Sequence, residues 1–169
     1  GNTSPTTTPV QVVGLTNIVE IVSGTNYSMA LKANDSIFSF GRNVWGYLGD
    51  GTTSQRNSPV GVASLCATRS ATPFTKKLTA GWSHSLFLCS NGNSANAWGA
   101  NAFAQVGDGT TTERTLPVTV SGLTNIKAIA AGYQHTLALK NDSTLWAWGD
   151  NTDGQLGDGT NTQSTTPKK

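Results

Sequence analysis

One motif of twelve residues occurs three times in this chain of 169 residues. Its copies are GRNVWGYLGDGT at 41–52, GANAFAQVGDGT at 99–110 and GDNTDGQLGDGT at 149–160. A motif that recurs at a spacing of about 50 residues is typical of an array of structural repeats. We therefore expect three copies of one supersecondary unit rather than one or two ordinary domains.

Short apolar runs divide each repeat into predicted strands. In the third copy, the runs 126–131 and 136–139 hold small or alternating apolar residues, and a further run ends at Trp148 and Gly149. Turns rich in Asn, Asp and Gly separate such runs, and a proline follows the motif, where an edge strand tolerates it. Four antiparallel strands in each repeat describe a propeller blade, so we predict an all-β fold of three β-propeller blades.

The repeat alignment sets the predicted blade boundaries. Residues 1–13 are the end of a preceding blade, 14–59 the first blade, 60–117 the second with an insertion near 61–75, and 118–169 the third with its last strand truncated. Three blades do not close a ring in the usual way, because closed propellers have four to eight. The chain is therefore a partial propeller from a longer array, a unit whose strand near Pro9–Val13 completes the last blade of another copy, or an open arc.

The repeat resembles that of the regulator of chromosome condensation family. The residues that carry this resemblance in the third copy are Gly132, His135, Thr136, Leu137, Trp148, Gly149, Asn151, Gly154, Gln155, Leu156 and Gly157. Departures are local, since Tyr27 and Tyr47 replace a His and a Gln, and Ala104 replaces a Gly. The resemblance implies a β-propeller, which has seven blades in the best-known members. The Thr-rich repeats look like bacterial secreted or cell-surface members, which implies an extracellular or cell-surface location.

Two cysteines fall on one side of the second predicted blade. Cys66 lies in the loop that enters its first strand, and Cys89 begins the loop that leaves its second strand. Antiparallel strands reverse direction at each turn, so both loops lie at the same edge of the blade. We predict a disulfide between them, the alternative being two unrelated small apolar side chains. A disulfide would place the chain in an oxidising compartment.

The loops at the opposite edge carry residues that differ between copies. The predicted partner-binding residues are Trp45, Trp82, Phe103, Tyr133 and Asp153. Four of these five are aromatic, and aromatic side chains on the loops of a rigid scaffold suit recognition of another molecule. The alternative is that some of the rings fold back over the blade below them.

Residues that recur in every copy are predicted to be structural. Trp98 and Trp148 are expected to pack between blades, and Trp146 to lie in the core. His84 and His135 are expected to hydrogen-bond the turn after the repeat glycine. The Asp of each Gly-Asp-Gly-Thr is expected to accept backbone N–H bonds in its turn. The sequence contains no catalytic motif and no metal-ligand spacing, so we expect no enzyme activity, cofactor or metal.

We predict a non-enzymatic protein-interaction module with an unidentified protein partner. The alternatives are an enzyme inhibitor similar to the β-lactamase-inhibitory propellers of the family, and a lectin-like carbohydrate-binding propeller. Self-association that completes the ring is a further alternative. The net charge is only +2 and the Lys and Arg residues are scattered, which argues against nucleic-acid binding. No apolar run reaches eighteen residues, so membrane insertion is not expected.

Overall fold

Three sheets make up the protein in a computed structural model, which describes residues 4, 6–63, 66, 77–89 and 92–169. The strands in these residues are β1 (Ile18–Ser23), β2 (Tyr27–Lys32), β3 (Ile37–Gly41), β4 (Arg56–Val62), β5 (Leu78–Ala80), β6 (His84–Leu88), β7 (Ala95–Gly99), β8 (Arg114–Thr119), β9 (Ile126–Ala131), β10 (His135–Lys140), β11 (Leu145–Gly149) and β12 (Ser164–Lys168). No helix long and apolar enough to cross a membrane is found in the described part of the chain.

Each sheet is one blade, in which every strand pairs with its neighbour in sequence. The orders are β1-β2-β3-β4 in the first blade, β5-β6-β7-β8 in the second and β9-β10-β11-β12 in the third. All pairings are antiparallel. The predicted all-β fold with blades of four antiparallel strands is confirmed.

The repeat glycine at the end of the third strand is needed for the backbone path. Gly99 pairs with His84, the first residue of β6, and its φ is +107°. A side chain at this position would be strained by its φ and would meet the carbonyl oxygen of Ser83. Gly41 and Gly149 have the same environment in the other two blades, which explains why Gly follows an aromatic residue in each copy.

The outermost strands extend past the prolines that mark the predicted blade boundaries. The boundaries at 59/60 and 117/118 therefore cut through β4 and β8. These strands are outer edges of their sheets, so the missing N–H of a proline removes no ladder bond that the sheet requires. The last strand of the third blade, β12, likewise contains its proline, Pro167.

The edge of the third blade already has its fourth strand. Gly149 of β11 pairs with Ser164 of β12, and Ala147 pairs with Lys168. One of the predicted alternatives is therefore wrong. The strand near Pro9–Val13 of another copy does not complete this blade, because β12 occupies the edge. Within residues 1–13, the described residues 4 and 6–13 contain no strand.

Apolar side chains are buried between the blades. From the first blade, Tyr27, Met29 and Leu31 pack in one cluster with Leu78 and Trp98 of the second. A second cluster joins the second blade to the third, and includes Leu86, Val106, Ile129 and Trp148. Burial of apolar surface between sheets is the main favourable contribution to the folding of such an array.

The predicted disulfide between Cys66 and Cys89 is formed, with the two Cα atoms 5.5 Å apart. Asn96 of β7 donates hydrogen bonds to both sulfur atoms, at 3.4 Å and 3.6 Å. The bond therefore ties the segment that follows β4 to the second blade. Of the predicted insertion, residues 61–62 belong to β4, and residues 64, 65 and 67–75 lie outside the described residues.

Reduction of this disulfide is expected to lower the free energy of unfolding by about 3 kcal/mol, the chain-entropy value for closing a loop of this size. The two cysteines are 23 residues apart. Urea unfolding with and without a thiol reductant measures the change. A Cys66→Ser/Cys89→Ser variant is the control, because its unfolding should not respond to reductant. An unchanged midpoint for the wild-type chain would contradict this prediction.

Candidate functional site

The repeat tryptophans join one blade to the next. Trp98 Nε1 donates a hydrogen bond to the carbonyl oxygen of Tyr47, at 2.9 Å. Trp148 Nε1 donates to the carbonyl oxygen of Gln105, at 3.0 Å. Both indole rings are completely buried, so their predicted role between blades is confirmed. Trp146 is only partly buried, and its Nε1 donates to Thr144 Oγ1 in its own turn.

His84 also acts between blades, which differs from the role we predicted. Its Nε2 lies 3.0 Å from Thr136 Oγ1, and that hydroxyl donates to the carbonyl oxygen of Gln105, at 2.9 Å. The hydroxyl proton is already used, so Nε2 of the histidine is the donor in their bond. The turn after Gly81 is closed by the backbone carbonyl of His84, which accepts from Gly81 N–H at 2.8 Å. Nδ1 is buried and finds no partner among the described residues.

This environment makes the protein less stable in mild acid. Burial, and to a smaller extent the charge of His135, lower the pKa of His84 to about 3, against about 6.5 for an unperturbed histidine. Above pH about 6.5, His84 is neutral in both the folded and the unfolded chain. Between about pH 6.5 and about pH 3, only the unfolded chain binds the proton at this residue. The free energy of unfolding should then fall with decreasing pH, by up to about 1.4 kcal/mol per unit.

Urea unfolding at several pH values compares the wild type with His84→Tyr. Tyrosine is the natural residue at this repeat position in the first blade, where the Tyr27 hydroxyl donates across the interface to the carbonyl oxygen of His84, at 2.7 Å. Between pH 6.5 and 4.5 the free energy of unfolding should fall less steeply in the variant, because tyrosine takes up no proton in this range. Both proteins retain His135, so a difference between them belongs to position 84. Equal slopes in the two proteins would contradict the assignment to His84.

The aspartates of Gly-Asp-Gly-Thr close their own turns, as predicted. Asp108 Oδ1 accepts from Thr110 N–H at 3.0 Å and from its hydroxyl at 2.8 Å. Asp108 Oδ2 pairs with Arg114 at 2.6 Å. Burial raises the pKa of Asp108, but hydrogen bonds from Thr110 and Arg114 outweigh burial and lower it. Sequence reasoning missed this arginine, although Arg56 recurs at the same distance before the proline and pairs with Asp50.

These carboxylates make hydrogen bonds within their own turns, and Asp50 and Asp108 also form ion pairs with arginines. Within the described residues, no group of three or more His, Cys, Asp or Glu side chains is placed to hold a metal ion. Positions at which the copies differ are therefore the better candidates for a functional site.

Three of the five predicted binding residues form one row of rings across the three blades. Trp45 follows β3, Trp82 lies between β5 and β6, and Tyr133 lies between β9 and β10. The ring centroids of Trp45 and Trp82 are 5.4 Å apart, with planes inclined by 54°. Those of Trp82 and Tyr133 are 4.7 Å apart and stacked, inclined by 15°. We call these three residues the aromatic row.

Backbone hydrogen bonds hold the loops of the row in place. The N–H of Trp82 donates to the carbonyl oxygen of Tyr133, at 3.3 Å, which links the second and third blades. Within the second blade, Ala100 N–H donates to Ser83 O at 2.9 Å, so the two loops at this edge are tied together. Asp150 N–H makes the corresponding bond to Gln134 O in the third blade, also at 2.9 Å. The row is therefore supported by a rigid scaffold.

Much of the row remains open to solvent. Tyr133 is 60% exposed, while Trp45 and Trp82 are half-buried. Phe103 and Asp153 are exposed in the β7–β8 and β11–β12 loops. The backbone N–H of each donates to a glutamine side chain two residues later, at 3.0 Å and 2.9 Å. These two residues share the edge with the row but add no ring contact to it.

Comparison with known proteins identifies the family. The model of the regulator of chromosome condensation (RCC1) repeat matches residues 34–88, 97–139 and 142–169. The chain belongs to the RCC1 repeat family. A second model with the same description matches residues 76–105 and 126–155.

Two relatives of this chain are much longer proteins. The ultraviolet-B receptor UVR8 of Arabidopsis thaliana is 30% identical over 124 residues, which are 72% of this chain and 27% of the receptor. The human X-linked retinitis pigmentosa GTPase regulator is 36% identical over 132 residues, which are 76% of this chain and 12% of the regulator. The chain thus spans about a quarter or less of these relatives.

Solved structures have the same fold. Yeast RCC1 (Prp20), solved bound to Kap60, gives a TM-score of 0.77 at 23% identity, covering 92% of this chain and 37% of that chain. Human WBSCR16 gives a TM-score of 0.74 at 20% identity, covering 89% of this chain and 37% of that chain. At these identities the similarity establishes the fold of the RCC1 repeats.

Proposed function

We propose that this chain is a non-enzymatic protein-interaction module whose partner contacts the aromatic row. The observation that carries the proposal is the exposed row itself, which crosses three blades at positions where the repeat requires no particular residue. Elsewhere the recurring Trp and Asp side chains, together with His84, are engaged in contacts within and between blades. Stacked rings offer a large contact area that loses little conformational entropy on binding.

Protein binding by related structures supports this proposal. The structure of yeast RCC1 (Prp20) was solved with Kap60 bound. A second Prp20 structure is described with its binding properties to Gsp1p and histones. These partners belong to the yeast protein, and we take from them only that a propeller of this family presents surfaces to other proteins. Fold alone does not determine which surface is used.

We further propose that the chain works outside the cytoplasm, in a secreted or cell-surface protein of a bacterium. The disulfide between Cys66 and Cys89 supports an oxidising compartment. The absence of a disulfide in protein purified under non-reducing conditions from its native source would contradict this location.

A displayed random-peptide library tests the proposed function, since selection does not require an identified partner. The library is selected on the wild-type chain alone, and each enriched peptide is then measured against Tyr133→Ser. We expect enriched peptides that bind the wild type and a Leu145→Ser control but bind Tyr133→Ser weakly. Leu145 is a matched control because it is 56% exposed and lies at the opposite end of its blade. Enrichment that does not depend on Tyr133 would contradict the proposal.

The two alternative functions have their own assays. An inhibitor similar to the β-lactamase-inhibitory propellers would reduce β-lactamase turnover at stoichiometric concentration. A lectin would bind a glycan array, with loss of binding in Tyr133→Ser. Either result, together with a failed peptide selection, would replace the protein-interaction proposal.

Self-association is a second proposal, supported by a groove on the first blade. The groove has a volume of about 540 Å³ and is lined in part by Ile21, Ser28 and Phe40. These residues align with positions of the second and third blades that are covered by the preceding blade, and Ile21 is 75% exposed. We propose that the third blade of a second copy covers this face. Sedimentation should then show a dimer that Ile21→Asp dissociates, whereas a wild-type monomer at about 100 µM would exclude it.

A further inference from the structure

Charged residues of opposite sign lie in loops of the first and third blades, Arg42 in the loop of Trp45 and Asp153 in the β11–β12 loop of the blade that carries Tyr133. The position after the repeat glycine is Arg42 in the first blade, Ala100 in the second and Asp150 in the third. The loop-tip position is Trp45, then Phe103, then Asp153. At these two positions the first blade carries Arg42 and no carboxylate, whereas the third blade carries Asp150 and Asp153 and no cation. The row runs from a basic end to an acidic end.

Arg42 supplies the basic end. Its side chain is exposed, whereas Arg56 and Arg114 on the same edge are paired with Asp50 and Asp108. The backbone N–H of Arg42 donates to Asn26 O at 2.9 Å, which fixes the start of its loop.

Asp153 supplies most of the acidic end. It is exposed, and its backbone is fixed by the bond to Gln155. Asp150 is buried, with its carboxylate bonded to Thr152 N–H and hydroxyl at 3.1 Å and 3.2 Å. It is tied through Gln134 to the loop of Tyr133.

The length of the row sets the size of a ligand segment. The two centroid separations of 5.4 Å and 4.7 Å place Trp45 and Tyr133 no more than about 10 Å apart. An extended polyproline-type segment advances about 3.1 Å per residue, so about three residues cover the rings. Proline and leucine side chains suit such a surface, since proline-containing segments lose little entropy on docking against aromatic rings.

We propose that the row binds an extended peptide segment with an acidic end, about three proline or leucine residues in the middle, and a basic end. The acidic end lies beside Arg42 and the basic end beside Asp153, with the apolar middle on the rings. This inference rests on the proposed function, and it specifies the chemistry of the partner segment. Complementary charges at the rim of an interface select the partner and increase the association rate more than they increase affinity.

Four synthetic peptides test this inference on the intact chain. Each has the central sequence Pro-Leu-Pro. The first peptide has Glu-Glu at one end and Arg-Arg at the other, and the remaining three have Glu-Glu, Arg-Arg or Ser-Ser at both ends. Tryptophan fluorescence reports binding to the row. The mixed-charge peptide should bind roughly three- to tenfold more tightly than the Ser-ended peptide at low salt, and this advantage should shrink at high salt.

Charge-reversal variants provide the second part of the test. Arg42→Glu should weaken binding of the mixed-charge peptide and strengthen binding of the peptide with Arg-Arg at both ends, each by about threefold. Asp153→Lys should do the reverse with the peptide that has Glu-Glu at both ends. Both side chains are exposed, so neither variant should change the unfolding midpoint. Together the two substitutions should restore binding of the mixed-charge peptide, because the peptide can reverse its direction on the row.

Failure of this inference is distinguishable from failure of the proposed function. If the Ser-ended peptide binds as tightly as the mixed-charge peptide and binding requires Tyr133, the charge arrangement is wrong and the function stands. If none of the four peptides binds, the inference is also wrong, and the library selection decides the function separately. Unchanged peptide preference in both charge-reversal variants overturns the inference as well.

Discussion

Trp148→Ala is expected to lower the free energy of unfolding by about 4 to 5 kcal/mol, the largest effect of any substitution considered. The ring is completely buried in the cluster that joins the second and third blades. Its removal leaves a cavity against Leu86 and Val106, and it leaves the carbonyl oxygen of Gln105 without the indole donor. Loss of apolar burial and loss of a buried hydrogen bond therefore add together.

Urea unfolding measures this loss, with Trp146→Ala as the matched control. Trp146 lies two residues earlier on the same strand, but it is only partly buried and bonds within its own turn. The control should therefore lose about 2 kcal/mol or less. Trp148→Phe keeps most of the volume and should lose about half as much as Trp148→Ala, which keeps the test usable if the alanine variant does not fold. Equal losses in Trp148→Ala and Trp146→Ala would contradict the assigned role.

Gly107→Ala is expected to cost about 4 kcal/mol, for two separate reasons. Gly107 has a φ of +76°, and a non-glycine residue in this region is strained by about 1 to 2 kcal/mol. An added Cβ would also lie against the indole of Trp148, at 2.7 Å from its Cδ1. Movement of a fully packed ring adds about 1 to 3 kcal/mol.

The third copy of the motif separates these two contributions. Gly157 has a φ of +68°, yet a Cβ there would meet nothing within 4 Å. Gly157→Ala should therefore cost only the backbone strain, about 1 to 2 kcal/mol. The difference between the variants, measured by urea unfolding, is the contribution of the contact between blades. If the two substitutions cost the same, the contact at Gly107 is not tight.

The strands and blades were predictable because the sequence contains three copies of each signal. Comparison of the copies separates residues that build every blade from residues that vary, and this distinction correctly placed Trp98 and Trp148 between blades. The ends of the outer strands were less predictable. Pro59 and Pro117 lie within β4 and β8 rather than at the ends of the blades, because an edge strand tolerates a residue without an N–H group.

The specific partners of residues in the contacts between blades were the part that the sequence did not show. A repeat alignment places His84 and His135 at equivalent positions, but the partner of His84 is Thr136 on the next blade. The aromatic row also depends on contacts between neighbouring blades. Trp45 and Trp82 belong to different loops of different blades, and they meet only because the last loop of one blade lies beside the first loop of the next. The packing geometry that joins them cannot be derived from repeat spacing alone.

The central claim is that the aromatic row is a binding surface, and the affinity of Tyr133→Ser for a peptide selected on the wild type tests it most directly. Titration followed by tryptophan fluorescence should show at least a tenfold weaker affinity in this variant, as expected when an aromatic anchor is removed. The Leu145→Ser control should bind like the wild type. The free energy of unfolding should stay within about 0.5 kcal/mol of the wild type in Leu145→Ser and within about 1.5 kcal/mol in Tyr133→Ser, which loses the stacking contact with Trp82. Equal affinity of wild type and Tyr133→Ser would contradict the account.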